Sequence, residues 1–226
     1  MKIKYLGVVV FSLACAACSS GMKNAIINTA QDAFRGYKEG GSPSLNPDFR
    51  FLRVAIQGRV VFLALGNEDA HPLGPIEVWY SAEKEVLRLQ NGRIVGATGL
   101  TTEWRSVVLN APPLWSAAMG AAQPLQWVRM RDVMPGYRFG VRDHLELRPI
   151  LPPKSITVQG RDSQRLSWFE ERVLPSAKGT PVLVAADQIL PPARYAVDMQ
   201  EGRAVVVYSE QCLASELCFA WQRWKP

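Results

Sequence analysis

The chain has 226 residues, of which 48% are apolar and 20% charged, with a formal net charge of +6. This length and composition describe a globular protein with a buried core, and they exclude a disordered chain or a small disulfide-held scaffold. The positive charge is mild and includes Lys2 and Lys4 of the first segment, so it does not predict a nucleic-acid-binding protein.

The first seventeen residues have the pattern of an export signal. Lys2 and Lys4 precede an apolar run at 5–13 that is too short to span a bilayer stably. The segment 13–21, Leu-Ala-Cys-Ala-Ala-Cys-Ser-Ser-Gly, looks like a lipobox, in which a cysteine is acylated. Cys18 follows two alanines and precedes a polar tether, so it is the predicted anchor, with Cys15 as the alternative. We expect a lipoprotein signal peptide at 1–17, an acylated anchor and tether at 18–24, and a single β-rich periplasmic domain at 25–226.

Residues 22–37 have the periodicity of a short amphipathic helix. Their apolar side chains recur at three- and four-residue spacing, and Gly40-Gly41-Ser42-Pro43 follows as a stop signal. We expect this N-terminal helix to pack against the domain.

Short strands follow from about Phe49. Residues 51–56 and 59–65 predict a hairpin, and 76–80 a third strand. The next unit pairs 85–89 with 93–96 across Asn91-Gly92, because Asn-Gly readily supplies the positive φ angles of a tight hairpin turn.

The strand pattern continues to the end of the chain. We predict strands at 125–130, 137–141 and 144–147, with turns at 134–136 and 142–143. After a proline-rich joint at 149–153 come strands at 155–160, 164–173, 180–186, 195–199 and 203–209, although 168–173 also fits a helical turn. Many short strands predict a mainly β protein, with an antiparallel meandering sheet curled on itself as a sandwich or partial barrel.

Two cysteines lie near the end of the chain. Cys212 and Cys218 flank five residues, with no histidine nearby and no second cysteine pair in the mature chain to complete a metal site. In an oxidising compartment this spacing predicts a structural disulfide.

The residues spell out no reaction. His71 and His144 have no partner at ligand spacing, and nucleophile-elbow and phosphate-loop motifs are absent, so we predict no catalytic residues, metal or cofactor. A carboxylate pair of a glycoside hydrolase needs no histidine and stays an alternative. Its candidates are Glu103, Glu146, Glu170, Glu171 and Asp198, where the adjacent Glu170 and Glu171 would face opposite sides of a strand.

Seven tryptophans invite a carbohydrate interpretation, because indole rings stack on sugars. Trp221 and Trp224 lie near the chain end, and together with Trp79 and Trp104 they are the candidate glycan contacts. Tryptophan in a β domain is also typical of the core, so both interpretations stay open.

The segment 78–100, with Asn91-Gly92-Arg93 and Thr98-Gly99-Leu100, resembles the YjbF/GfcB family of capsule and exopolysaccharide lipoproteins. The segments 195–198, 202–203 and 209–211 are similar to that family's C-terminal portion. The resemblance implies a β-rich outer-membrane lipoprotein that faces the periplasm and acts without catalysis in polysaccharide production or export. Its implied partners are the membrane, through the lipid anchor, and a polysaccharide or its export proteins. Ser19 after the anchor fits sorting to the outer membrane, and a structural scaffold for envelope proteins is the other alternative.

Overall fold

Twelve antiparallel strands and one short helix make up the structure, a computed structural model that describes residues 45–175 and 190–225. The helix α1 spans Trp115–Met119, and a single 3-10 turn spans Ser163–Arg165. The strands are β1 (Phe51–Ile56), β2 (Arg59–Asp69), β3 (Ile76–Ser81), β4 (Val86–Gln90), β5 (Arg93–Thr98), β6 (Glu103–Asn110), β7 (Leu125–Met134), β8 (Arg138–Ile150), β9 (Ser167–Val173), β10 (Ala193–Gln200), β11 (Arg203–Ala214) and β12 (Leu217–Trp224).

The strands form one closed ring in chain order. Each strand pairs with its sequence neighbours, and β12 returns to pair with β1, so that Phe51 faces Trp224 and Ile56 faces Phe219. The predicted mainly β class and the antiparallel sheet curled on itself are confirmed. The predicted N-terminal helix at 22–37 and the predicted strand at 180–186 lie outside the described residues.

Strand alternation divides the side chains between the interior of the ring and its outer face. On β1, Leu52 and Val54 belong to the main core cluster, whereas Phe51 packs in a separate outer cluster with Ala64. In a ring of eight strands, ordinary side chains just fill the interior. A ring of twelve strands is wider, so it needs larger side chains to fill it. Indole rings supply much of that volume, because Trp79, Trp104 and Trp221 are among the largest fully buried side chains.

Two local predictions are wrong, two strands were missed, and one alternative is excluded. The predicted turn at 142–143 lies inside β8, because the interior ion pairs described below satisfy Asp143 within the strand. The predicted strand at 155–160 is an irregular connection whose Val158 packs on the outer face of the sheet. Strands β6 and β12 were not predicted, and the alternative of a helical turn at 168–173 is excluded because β9 covers it.

The two ends of the ring differ. At one end, which we call the turn end, lie the connections β1–β2, β3–β4, β5–β6, β7–β8 and β11–β12. At the other, the helix end, α1 inserts Trp115 beside Phe169 and Tyr195, with ring centroids 5.5 and 4.9 Å away. The Trp115 indole N–H donates to the carbonyl of Asn91 at 2.8 Å. Trp115 therefore packs over the interior at the helix end.

Candidate functional site

A buried carboxylate organises one half of the ring interior. Glu171 of β9 accepts hydrogen bonds from Arg93 Nε at 3.1 Å, Trp127 Nε1 at 3.1 Å and the Tyr195 hydroxyl at 3.2 Å. The guanidinium of Arg93 also lies 4.1 Å from the ring centroid of Trp115 and 5.0 Å from that of Trp127. Burial, reinforced by the Glu171 carboxylate, raises the pKa of Tyr195 well above its usual range. The phenol therefore stays protonated and acts as a donor.

A second buried carboxylate lies between two arginines. Asp143 of β8 accepts from Arg129 Nη2 at 2.7 Å and from Arg131 Nε at 2.8 Å, and both guanidinium groups lie over the ring of Trp104, at 4.6 and 5.1 Å. Burial by itself raises the pKa of Asp143, but the two guanidinium groups outweigh it and hold the pKa below its usual range. Such paired and hydrogen-bonded groups are the form in which charge is tolerated inside a protein.

Gln211 ties these networks to the backbone. Its side-chain oxygen accepts from the N–H of Ile94 at 3.0 Å and lies 3.2 Å from the Tyr195 hydroxyl, whose single proton it shares with Glu171. Its amide donates to the carbonyl of Gly92 at 2.9 Å. The ring interior thus fixes the relative positions of β5, β10 and β11. The buried carboxylates of the interior accept hydrogen bonds from side chains of the ring itself. Their chemical role is therefore to hold the strands together.

Three of the four predicted glycan contacts belong to the core. Trp79, Trp104 and Trp221 are at most 1% exposed, so their ring faces are not available to a polymer. The expectation is therefore wrong for these residues, because a wide ring needs indoles to fill its interior. Trp224 is half-buried at the end of β12 and packs edge-on against Phe62, with ring centroids 5.6 Å apart.

The five candidate acids all form ion pairs with arginines. Glu171 faces the interior while Glu170 lies on the outer face, as their adjacent positions predict. The four outer pairs are Glu103 with Arg105 at 2.6 Å, Glu146 with Arg172 at 2.6 Å, Glu170 with Arg148 at 2.6 Å, and Asp198 with Arg161. Within residues 45–175 and 190–225, no group of three His, Cys, Asp or Glu side chains is arranged to hold a metal ion.

The cysteine predictions divide between described and undescribed residues. Cys212 and Cys218 form a disulfide across the β11–β12 hairpin, where the two residues face each other directly. Cys18 and its alternative Cys15 lie outside the described residues, so lipidation stays a prediction. In the part of the chain that the structure describes, no helix has the length and apolar character needed to cross a membrane.

An apolar cavity opens into the ring interior at the turn end. It has a volume of about 190 Å³, and its walls include core residues such as Val54, Leu63, Leu87 and Phe219. Polar side chains on the turns and Arg59 at the start of β2 also contribute to its lining. We call this opening the mouth cavity.

A shallower opening lies beside it, between the β5–β6 turn and the β7–β8 hairpin. This rim groove has a volume of about 360 Å³ and is lined by Thr101, Glu103, Arg105 and Tyr137 among others. Leu100 lines both the rim groove and the mouth cavity, so the two are adjacent. Sequence reasoning missed both openings, although the turn at 134–136 predicts that its neighbour Tyr137 is exposed.

Three comparisons with known proteins give one family match and one similar crystal structure. A family profile described as "Group 4 capsule polysaccharide lipoprotein gfcB, YjbF" matches residues 51–179, which include β1 to β9. The crystal structure of the hypothetical lipoprotein YmcC from Escherichia coli (K12) is similar with a TM-score of 0.49 and 15% sequence identity, over 79% of this chain and 84% of that chain. A search of curated proteins gives no match.

Proposed function

This chain belongs to the YjbF family of group 4 capsule polysaccharide lipoproteins, and on that premise we propose that it is a non-enzymatic accessory in the production or export of capsule or exopolysaccharide. The observation that carries the proposal is the family match over residues 51–179, which covers nine of the twelve strands of the ring. We further propose that it is anchored to the outer membrane by an acylated Cys18 and faces the periplasm.

The state of the carboxylates supports a role without catalysis. A glycoside hydrolase needs one acid that gives up a proton and a second that attacks or activates water beside the substrate. Here Glu171 and Asp143 are buried in ion pairs, and each of the four outer candidate acids pairs with an arginine. A carboxylate whose oxygens are held by arginines of the same chain has fewer positions left for a substrate.

A scaffold for envelope proteins is the second candidate, and one observation favours it. Val108 of β6 and Met130 of β7 are register partners on the outer face, and their side chains are 50% and 39% exposed. Neighbouring exposed apolar side chains are typical of protein contact surfaces, although a pair is a small patch.

The proposed function is tested by deleting the gene and measuring surface polysaccharide. We expect the deletion strain to lose polymer and the wild-type chain to restore it. Cys18→Ser should fail to restore it, because a chain without its anchor leaves the membrane. Cys15→Ser is the matched control and should restore polymer.

Unchanged polymer in the deletion strain would overturn the proposed function and favour the scaffold. Restoration by Cys18→Ser together with failure of Cys15→Ser would instead move the anchor to Cys15.

A further inference from the structure

The mouth cavity and the rim groove lie side by side, so one ligand can occupy both. We propose that the two openings together bind an amphiphile that has one aliphatic chain and a saccharide head group, such as a glycolipid or a lipid-linked saccharide. The chain enters the mouth cavity and the head group lies in the rim groove. The assignment of the head group as a saccharide rests in part on the proposed function, while the two-part character of the site rests on its lining.

The mouth cavity suits an aliphatic chain. Its walls include the apolar side chains of Val54, Val61, Leu63 and Leu87. Its polar and charged lining residues lie in or beside the β1–β2 and β3–β4 connections, namely Gln57, Arg59, Glu83 and Glu85. The one buried hydroxyl in the lining, that of Ser81, is already engaged, because it donates to the Glu85 carboxylate and accepts from two backbone N–H groups at 3.0 and 3.2 Å. A hydroxyl offers one donor and two acceptor positions, so Ser81 has none left over.

The volume of the mouth cavity sets how much of a ligand it holds. An apolar cavity of about 150 Å³ stays dry and takes up a benzene-sized molecule. At about 190 Å³ the mouth cavity accommodates the end of one chain and not a complete lipid. The rest of the ligand must therefore lie outside it, at the turn end.

The rim groove has the chemistry that a sugar ring needs. Tyr137 is 75% exposed and offers a flat apolar face with a hydroxyl at its edge, which suits stacking against the C–H face of a sugar. Glu103 holds Arg105 in place at 2.6 Å and also accepts from the N–H of Gly99 at 2.7 Å. The Arg105 side chain remains 58% exposed and can donate to sugar hydroxyls, as can the neighbouring Thr101. A volume of about 360 Å³ lies within the range of small-molecule sites.

Leu100 is the position where the two halves meet. A carboxylate placed there would have to lose its hydration beside an aliphatic chain, which is costly. Leu100→Asp is therefore the central variant. Its matched control is Leu73→Asp, which places the same charge on the β2–β3 loop at the opposite end, where Leu73 is 39% exposed. Leu100 lies on the turn between β5 and β6 but is partly buried against the main core, so the melting temperature of Leu100→Asp is measured beside its affinity to separate lost binding from lost folding.

The head-group half has its own variant and control on one hairpin. Tyr137→Ala removes the stacking face from the groove. Phe139→Ala removes an aromatic ring of similar exposure, 66%, from a residue that does not line the groove. Neither side chain is buried, so both variants should keep the thermal stability of the parent chain.

The binding experiment uses the full chain with Cys18→Ser, so that no attached acyl chain competes for the cavity. The probe is dodecyl maltoside below its critical micelle concentration, titrated by calorimetry. Maltose alone and a dodecyl chain with a polyoxyethylene head serve as the two half-ligands. We expect saturable binding of dodecyl maltoside, about tenfold weaker for Leu100→Asp and about three- to tenfold weaker for Tyr137→Ala, with both controls unchanged.

Three results would overturn the inference. The first is that dodecyl maltoside shows no saturable binding to the parent chain. The second is that each variant and its control weaken binding equally. The third is that dodecyl maltoside and either half-ligand bind with equal affinity. Because this assay contains no cells, its failure is separate from failure of the proposed function, which is seen in the polymer output of the deletion strain.

Discussion

Asp143→Asn is the most direct test of the buried ion pairs. The change keeps the size of the side chain but removes the charge that compensates Arg129 and Arg131, and the Asp143 side chain is only 3% exposed. Removing one partner of a buried pair typically costs about 3 to 5 kcal/mol, because the remaining charge is left uncompensated. For a chain of this size, 1 kcal/mol corresponds to about 2 to 4 °C in Tm, so we expect Tm to fall by about 6 to 20 °C.

Glu146→Gln on the same strand is the matched control. Glu146 pairs with Arg172 on the outer face, where the Arg172 side chain is 43% exposed. Exposed pairs contribute about 0 to 1 kcal/mol, so the control should lose no more than about 4 °C. Urea unfolding followed by tryptophan fluorescence gives the free energy of unfolding for both variants, and the m-value checks that the unfolded states are comparable.

The pH dependence supplies a second readout. Burial raises the pKa of Asp143, but Arg129 and Arg131 together lower it by a larger amount. Its pKa in the folded state therefore lies below its pKa in the unfolded state. A carboxylate of this kind stabilises the fold above its unfolded pKa, about 3.9, and the contribution disappears as the pH falls through the folded pKa. The difference between the parent chain and Asp143→Asn should therefore be constant at neutral pH and shrink below about pH 4. If Asp143→Asn costs no more than Glu146→Gln at pH 7, the reasoning about the interior fails.

Three further predictions concern turns, the disulfide and the core. Gly92→Ala should lower the free energy of unfolding, measured in urea, by about 1 to 3 kcal/mol more than Gly202→Ala does. Both glycines have positive φ, but only at Gly92 would an added Cβ lie 2.5 Å from a side chain, that of Val206 in β11. Equal losses would contradict the steric argument. Cys212→Ser should cost about 2 kcal/mol, since the loop closed by the disulfide is short, and adding reductant to the parent chain should reproduce the loss. Trp221→Ala should lower the free energy of unfolding by about 3 to 5 kcal/mol, whereas Trp224→Ala at a half-buried site should lower it by less than about 2 kcal/mol. If Trp221→Ala keeps the stability of the parent chain, Trp221 does not belong to the core.

Much of the local structure could be predicted from the sequence because short-range chemistry decides it. Asn91 and Gly92 both have positive φ and join β4 to β5, as an Asn-Gly hairpin requires. Runs of β-branched and large apolar residues placed β1, β3 and β10 within a few residues of their observed bounds. The disulfide likewise followed from spacing and compartment, and its partners face each other across one hairpin.

Other local signals were overridden by the rest of the protein. Asp143 is a residue typical of turns, yet it lies inside β8 because two arginines from β7 satisfy its carboxylate. The tryptophans that suggested a sugar platform instead fill the interior of a wide ring. Nothing within a few residues of these positions distinguishes the two outcomes.

What the sequence by itself determined is the strand pattern, the hairpin turns and the family, because alternation, turn chemistry and motif residues are properties of neighbouring positions. Only the tertiary structure decided that β12 pairs with β1 and closes the ring, because that pairing joins segments at opposite ends of the described chain. Closure in turn placed Glu171 beside Arg93 and brought the mouth cavity and the rim groove together at Leu100. Contacts between distant segments depend on the register and curvature of the whole sheet, which no local pattern encodes.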